Sequence, residues 1–280
     1  MDGSKKDKTI YYKTDEEIEL LRENGMLVAK VLAHCASRIK PGVTGLELDK
    51  EAEELIRDHG AEPGFLGMYD YPFTIQVSRN SAVVHGMPDN RPFVDGDIIS
   101  IDCGTLKHGY YGDSAHTFAL GNITDAEMRL LSVTKTSLHK AVEAFKVGRR
   151  IGDISFMIQN YVERQNRFSC VRELVGHGLG RSLHEAPEVP NYGKRGKGAK
   201  IQEGLVVAVE PMVNMGRKEV LQADDGWTIY TKDGKPSAHY EYMIAVKRDG
   251  PDILSDHTEV VNAIAANEEL RVVELQGSFV

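Results

Sequence analysis

Residues 124–148, TDAEMRLLSVTKTSLHKAVEAFKVG, repeat at a distance the pattern of residues 14–42, TDEEIELLRENGMLVAKVLAHCASRIKPG. Each stretch begins with Thr followed three residues later by Glu. This is a capping box, in which hydroxyl and carboxylate satisfy two backbone N–H groups that a helix start leaves without partners. Each then sets apolar residues at helical spacing: Ile18, Leu21, Val28, Val31 and Leu32 in one, Leu130, Leu131, Leu138, Val142 and Phe145 in the other. Each stops at a glycine, and in the first Pro41 bars further helix. A second helix follows each break. Thr44 to Glu47 opens one that carries Leu48, Leu55 and Ile56 and closes at Gly60; its counterpart spans about Asp153 to Asn166. Thr14 and Thr124 stand 110 residues apart and the break glycines Gly42 and Gly148 stand 106 apart, so the pattern reads as an internal duplication.

Short β-like runs follow each helix pair. In the first half they are Phe73 to Val77, Ala82 to Val84, Asp97 to Cys103 and Tyr110 to Ala119; in the second, Val171 to Val175, Leu205 to Glu210, Trp227 to Thr231 and His239 to Val246. The expectation is a single α/β domain over residues 1–280. Two similar halves, about 12–120 and 121–254, share one sheet with helices outside, and a tail from 257 to 280 adds another short helix and strand. No interior linker rich in Pro or Ser divides the chain, and residues 194–200, KRGKGAK, read as a solvated surface connection.

Composition narrows the functional classes. A chain of 280 residues with 41% hydrophobic and 27% charged side chains matches a soluble globular protein with a full core. Its 34 basic and 42 acidic residues leave a net charge of −8, which argues against a nucleic-acid backbone as the main partner. Cys35, Cys103 and Cys170 lack CxxC spacing; they are too few for a disulfide framework, wrong for a zinc knuckle, and read as reduced thiols. No apolar run approaches the roughly 18 residues of a membrane span. The N-terminus, MDGSKKDKTIYYKTDEE, turns acidic where a signal peptide needs an apolar core, so a cytoplasmic location is expected.

The chemistry concentrates in strand-like segments. Ile98 to Ser114 reads as strand, turn, strand, and a hairpin centred between Lys107 and His108 sets Asp102 directly opposite Asp113. Two carboxylates roughly 5 Å apart repel unless a cation lies between them. From this segment alone, an Asp that caps the turn or a register slipped by one residue is an equal alternative. The run Leu205 to Val209 ends in Glu210, 108 residues after Asp102 and so within the duplication offset, and Glu241 leads into another apolar strand. Singly, each acid also reads as a strand-end residue reaching solvent. Four of them, on strands of both halves, point to a shared site. GHGLGRSLHE, residues 176–185, adds His177 between two glycines that let a bound group approach closely. Asp102, Asp113, His177, Glu210 and Glu241 form an oxygen-rich set with one nitrogen, suited to Mn, Fe, Co or catalytic Zn, and able to bridge two ions. His184 follows His177 by seven residues, so the glycine-rich turn must redirect the chain to bring both to one side.

Those segments, with VVHGMP around His85, VEPMVN around Glu210 and DGWTIYTKDGKPSAHYEY around Glu241, make the chain resemble the type I methionine aminopeptidases from about residue 12 to 254. The resemblance implies the duplicated pita-bread fold, with two pseudo-symmetric halves on a curved, mostly antiparallel sheet. It implies two divalent metal ions per chain (Co, Mn, Fe or Zn), bridged by Asp113 and Glu241. Asp102 completes one shell, and His177 and Glu210 complete the other. It assigns His85 and His184 to the scissile amide and the oxyanion, Glu210 to the proton, and Tyr71 and Trp227, with Met68 and Leu183 beside them, to the methionine pocket. The implied activity is removal of the N-terminal methionine from nascent proteins whose second residue is small, by a monomer that needs neither nucleic acid nor membrane and that has the ribosome as a candidate partner. Gln76 stands where many bacterial members carry cysteine, and Met68 and Leu183 stand where they carry aromatics. Two rival readings are a prolidase or Xaa-Pro aminopeptidase, which shares fold and ligands but usually has an additional N-terminal domain, and a non-catalytic relative that has lost its ligands.

Overall fold

The computed structural model describes residues 9–277. The first eight residues of the acidic-turning N-terminus and the last three of the tail lie outside that range. Helices α1 (Asp15–Arg38), α2 (Gly45–Asp58) and α3 (Asp125–Ala144) start where the capping boxes place them, with Thr14, Thr44 and Thr124 each accepting from the Glu three residues on. The break glycines have φ of 95° at Gly42 and 90° at Gly148, a left-handed backbone that side-chain-bearing residues rarely adopt. Helix α4 (Ile151–Gln159) begins two residues before the expected Asp153, because that carboxylate reaches back to the Arg150 N–H at 2.9 Å; the helix continues as a π-helical turn over Asn160–Gln165.

The strands that matter for the site are β1 (Ile75–Arg79), β2 (Ala82–Val84), β3 (Ile98–Lys107), β4 (Tyr110–Leu120), β5 (Gly176–Gly178), β6 (Glu185–Val189), β7 (Val206–Val209), β8 (Met212–Asn214), β9 (Ser237–His239), β10 (Tyr242–Lys247), β11 (Gly250–Ile253) and β12 (Leu270–Arg271). Every pairing between them is antiparallel. One five-stranded sheet carries β3, β4, β1 and β12 with the short Glu62–Pro63, and the other runs β11-β10-β7-β5-β6. Two three-stranded pieces fill the curl, one of β9, β8 and Ser169–Cys170, the other of Val220–Gln222, Ile229–Thr231 and β2.

The two large sheets join at β4. Glu241 N–H donates to Ala115 O at 2.9 Å, and the Thr117 hydroxyl both donates to His239 O at 2.6 Å and accepts from His239 N–H at 3.0 Å. That crossing explains why the expected strand from His239 to Val246 is split: Tyr240 and Glu241 leave one ladder to reach the other. The expected strand Val171 to Val175 is also absent as such. Val171 N–H still bonds Met212 O, but Arg172 turns away to Glu163 at 2.6 Å, and β5 begins only at Gly176.

The hairpin register corrects the sequence reading. Lys107 pairs with Tyr110, so the turn is His108-Gly109, both at positive φ, 55° and 75°. This primed two-residue turn matches the twist of its strands. Asp102 therefore faces Ala115, and Asp113 faces Gly104. The shift moves each partner by two residues, and since side chains alternate with period two, both aspartates stay on one face as diagonal neighbours.

Each helix pair covers its own core. Val28, Val31 and Leu32 of α1 and Leu48 and Ile56 of α2 pack on Ile99, Ile101 and Phe118; Leu130, Leu138, Ile154 and Ile158 of α3 and α4 pack on Val207, Val209 and Ile244. The tail forms the expected helix, α5 (Thr258–Ala266), and strand, β12, which pairs Leu270 with Leu120. Asn267 ties this tail to α1 through Ala36 O and Ile39 O. His257 enters the core, its Nε2 2.9 Å from Ser114 Oγ, which itself donates to Glu241 O. Residues 194–200 lie on the surface against the start of α4, where Gly196 N–H meets Asp153. No described helix is long and apolar enough to cross a membrane. All three cysteines are buried and free.

Candidate functional site

One cavity of about 1190 Å³ opens where the halves meet, and the residues given a role in the sequence all line it: Met68, Tyr71, His85, Asp102, Asp113, His177, Leu183, His184, Glu210, Trp227 and Glu241. Asp102 on β3 and Asp113 on β4 come from the first half. His177 on β5, Glu210 just after β7 and Glu241 just before β10 come from the second. Candidate ligand atoms of Asp113, His177 and Glu241 all lie within 4.8 Å of one another. His177 Nε2 is 3.7 Å from Asp113 Oδ2 and 3.6 Å from Glu210 Oε1. Its Nδ1 lies 3.0 Å from Gly178 O, an arrangement that keeps the ring proton on Nδ1 and turns the Nε2 lone pair toward the acids.

Electrostatics mark the cluster as incomplete without cations. Burial, reinforced by Glu210, pushes the Asp102 carboxyl up to about 7, and burial pushes Glu210 up to about 8. Asp113 and Glu241 are driven well above the ordinary carboxylate range, first by burial and then by the other acids. Asp102 and Glu210 keep some surface, but it faces the cavity rather than bulk water, so burial still dominates. The described ion pairs bring histidines to Asp113 and Glu210, and no Lys or Arg to any of the four acids. Asp102 Oδ1, Asp113 Oδ1 and Glu241 Oε1 are buried without a hydrogen-bond partner. Orphaned carboxylate oxygens converging beside an imidazole are what divalent cations would satisfy, so the donor set fits the metal ions that the resemblance implies.

The glycine-rich turn does redirect the chain: the His177 and His184 rings meet edge to face at 4.5 Å. His85 sits opposite with φ of 58°, a left-handed backbone unusual for a residue with a side chain. Gln76 Oε1 accepts its N–H at 3.1 Å, and Gly86 N–H donates to Ser78 Oγ at 3.1 Å, which holds the turn in place. Burial, then the neighbouring His239 and His184, lowers His85 to about 4, so it is neutral at pH 7.

An apolar wall adjoins the acids. Phe65, Tyr71 and Leu183 are buried together, with Met68 and Trp227 packed against them. Tyr71 and Trp227 meet edge to face at 5.0 Å, and the Tyr71 hydroxyl donates to Ile75 O at 2.9 Å.

Sequence reasoning missed four contributors. Phe65 carries no motif. Asn191 donates to Glu210 O at 2.9 Å from a loop. Lys13 pairs with Glu185 at the cavity rim, across 172 residues. His239 lies 3.6 Å from Glu210 Oε2, and its spacing of two from Glu241 was the one available signal.

The family model of metallopeptidase family M24 matches residues 19–248. The chain is 47% identical over 246 residues to a methionine aminopeptidase of Clostridium perfringens, which covers 88% of this chain and 98% of that one. It superposes on the crystal structure of a methionine aminopeptidase from Thermotoga maritima with a TM-score of 0.87 and 39% identity, over 89% of this chain and 100% of that one. An Xaa-Pro dipeptidase from Bacillus anthracis shares the fold at a TM-score of 0.72 and 24% identity, over 88% of this chain but only 62% of that one.

Proposed function

The chain belongs to metallopeptidase family M24, among its methionine aminopeptidases, and from that premise we infer how its residues divide the work. It is a metal-dependent aminopeptidase that removes an N-terminal methionine by hydrolysing the first peptide bond. What carries this reading is the meeting of two environments in one cavity: the wall of Phe65, Tyr71 and Leu183 borders the four acids. Soft apolar walls suit a thioether side chain, and the acids suit a cationic α-amine. Acids beside the first residue favour a free chain end over an internal bond. The substrates are N-termini of nascent polypeptides with a small second residue, processed in the cytoplasm by a monomer whose two pseudo-repeats form one catalytic unit.

In this reading Asp102, Asp113, His177, Glu210 and Glu241 would hold the divalent ions, Asp113 and Glu241 being shared between two sites, Asp102 belonging to one and His177 and Glu210 to the other; oxygen-rich donors with one imidazole suit Co, Mn, Fe or Zn. When bound, such ions supply Lewis acidity, which makes water a nucleophile near neutral pH and polarises the scissile carbonyl. Glu210 takes the proton of the attacking water on a carboxylate oxygen and delivers it to the leaving amine. Neutral His85, together with His184, orients the scissile amide and donates to the oxygen on which charge develops. Tyr71 and Trp227 seat the methionine side chain. The test is hydrolysis of Met-Gly-Met against an Ala-Pro peptide with added Mn or Co. Cleavage of the first alone is expected; cleavage of the second would make the chain prolidase-like, and cleavage of neither by folded, metal-loaded protein would sink both enzyme readings.

A further inference from the structure

His239 has a geometry that its neighbours do not explain. It is buried, and its Nε2 has no hydrogen-bond partner although it lies only 3.6 Å from Glu210 Oε2. Glu210 Oε1, on the other side of that carboxylate, lies 3.6 Å from His177 Nε2. The carboxylate is therefore flanked by two imidazoles, one per oxygen. They are not equivalent. His177 stands inside the cluster with Asp113 and Glu241, whereas His239 lies outside that group of three and does not line the cavity.

Its backbone is pinned. His239 N–H and C=O both bond the Thr117 hydroxyl on β4, and the residue pairs with Met212, two positions after Glu210. The carboxylate is the movable partner, since Asn191 fixes only the Glu210 backbone oxygen and the described hydrogen bonds bring no other donor to its side chain. A donor–acceptor distance of 3.6 Å is about half an ångström longer than a hydrogen bond. A small rotation of the carboxylate closes that gap.

We infer that His239 is a positioning residue, whose Nε2–H donates to Glu210 Oε2 and so presents Oε1 to the metal site and the substrate. Ligating carboxylates are commonly held by such outer hydrogen bonds, and losing one typically weakens metal affinity by roughly 10- to 100-fold. The inference rests on the metal-site reading above and goes beyond it, since it gives Glu210 a fixed orientation rather than a free rotor.

The test compares wild type with His239→Gln, His239→Asn and His239→Leu after metal removal, titrating Co(II) by calorimetry and recording its visible absorption bands. The Gln amide nitrogen reaches about as far as Nε2, whereas Asn is too short and Leu donates nothing. Expected is Co(II) affinity weakened roughly 10- to 100-fold in the Asn and Leu variants and near wild type in Gln, with band positions unchanged throughout. If His239→Gln is as weak as His239→Asn, or its bands move as a nitrogen ligand is lost, His239 is a metal ligand and the inference fails. Wild-type affinity in all three variants also overturns it. Circular dichroism screens for folding, and the Gln and Asn pair decides the matter if Leu does not fold. Wild-type protein that takes up no Co(II) defeats the metal-site reading itself, a distinguishable result.

Discussion

Stripping the metal should make this protein lose stability as pH rises from 6.5 to 8. In that window the folded, metal-free chain holds protons on its buried acids: Glu210 is pushed up to about 8, and Asp113 and Glu241 are driven well above the ordinary range. The unfolded chain has ionised the same groups near pH 4. The folded state thus binds more protons than the unfolded one, and each such group lowers stability by about 1.4 kcal/mol per pH unit. Across 1.5 units one persistently protonated acid costs about 2 kcal/mol, roughly 4–8 °C of melting temperature in a chain of this size. The buried histidines His85, His116, His139, His239 and His257 work in the opposite direction, because all are lowered by burial and stay neutral when folded. Unfolded histidines are still half protonated at pH 6.5, so above it the five together regain about 2 kcal/mol, which offsets one acid and leaves the remaining acids to set the sign. The assay is thermal melting with chelator and with added Mn(II) at pH 6.5, 7.2 and 8. The chelated protein should melt progressively lower, and the metal-loaded protein should not. A chelated protein whose melting temperature stays flat or rises would refute the claim that the acids lack an internal counter-charge.

Three further outcomes are expected. Asp113→Ala should abolish hydrolysis of Met-Gly-Met while the metal-free fold survives, since removing one of four mutually repelling buried acids relieves strain; retained turnover would refute its bridging role. His85→Ala should lower kcat by roughly 10²- to 10³-fold with little change in KM, as for loss of an oxyanion donor, and steady-state kinetics showing only a higher KM would assign the ring to ground-state binding. Tyr71→Phe removes the buried hydroxyl that donates to Ile75 O, a cost of about 1–3 kcal/mol readable as a lower urea midpoint.

The helices were legible because their signals are local: Thr14, Thr44 and Thr124 meet their glutamates within one turn. The four acids were legible because charge at the end of an apolar run is costly unless something answers it. The hairpin register was missed because His108-Gly109, not Lys107-His108, is the pair able to take positive φ. The break at Tyr240-Glu241 depends on Ala115, more than 120 residues away, and no local pattern announces it. His239 was passed over for a related reason. A lone histidine in a strand is uninformative until the fold places Glu210 beside it.

The tail has a consequence in time. Strand β4, which carries Asp113, is synthesised early, but Leu270, which pairs with its last residue, and His257, which props Ser114, come about 140–150 residues later. At the usual 5–20 residues per second, that leaves roughly 7–30 s in which one edge of the sheet that carries Asp102 and Asp113 has no neighbour. The candidate centre is thus completed only after His257 and Leu270 have been made, and a truncation just after Glu241 should yield every candidate ligand but no durable site.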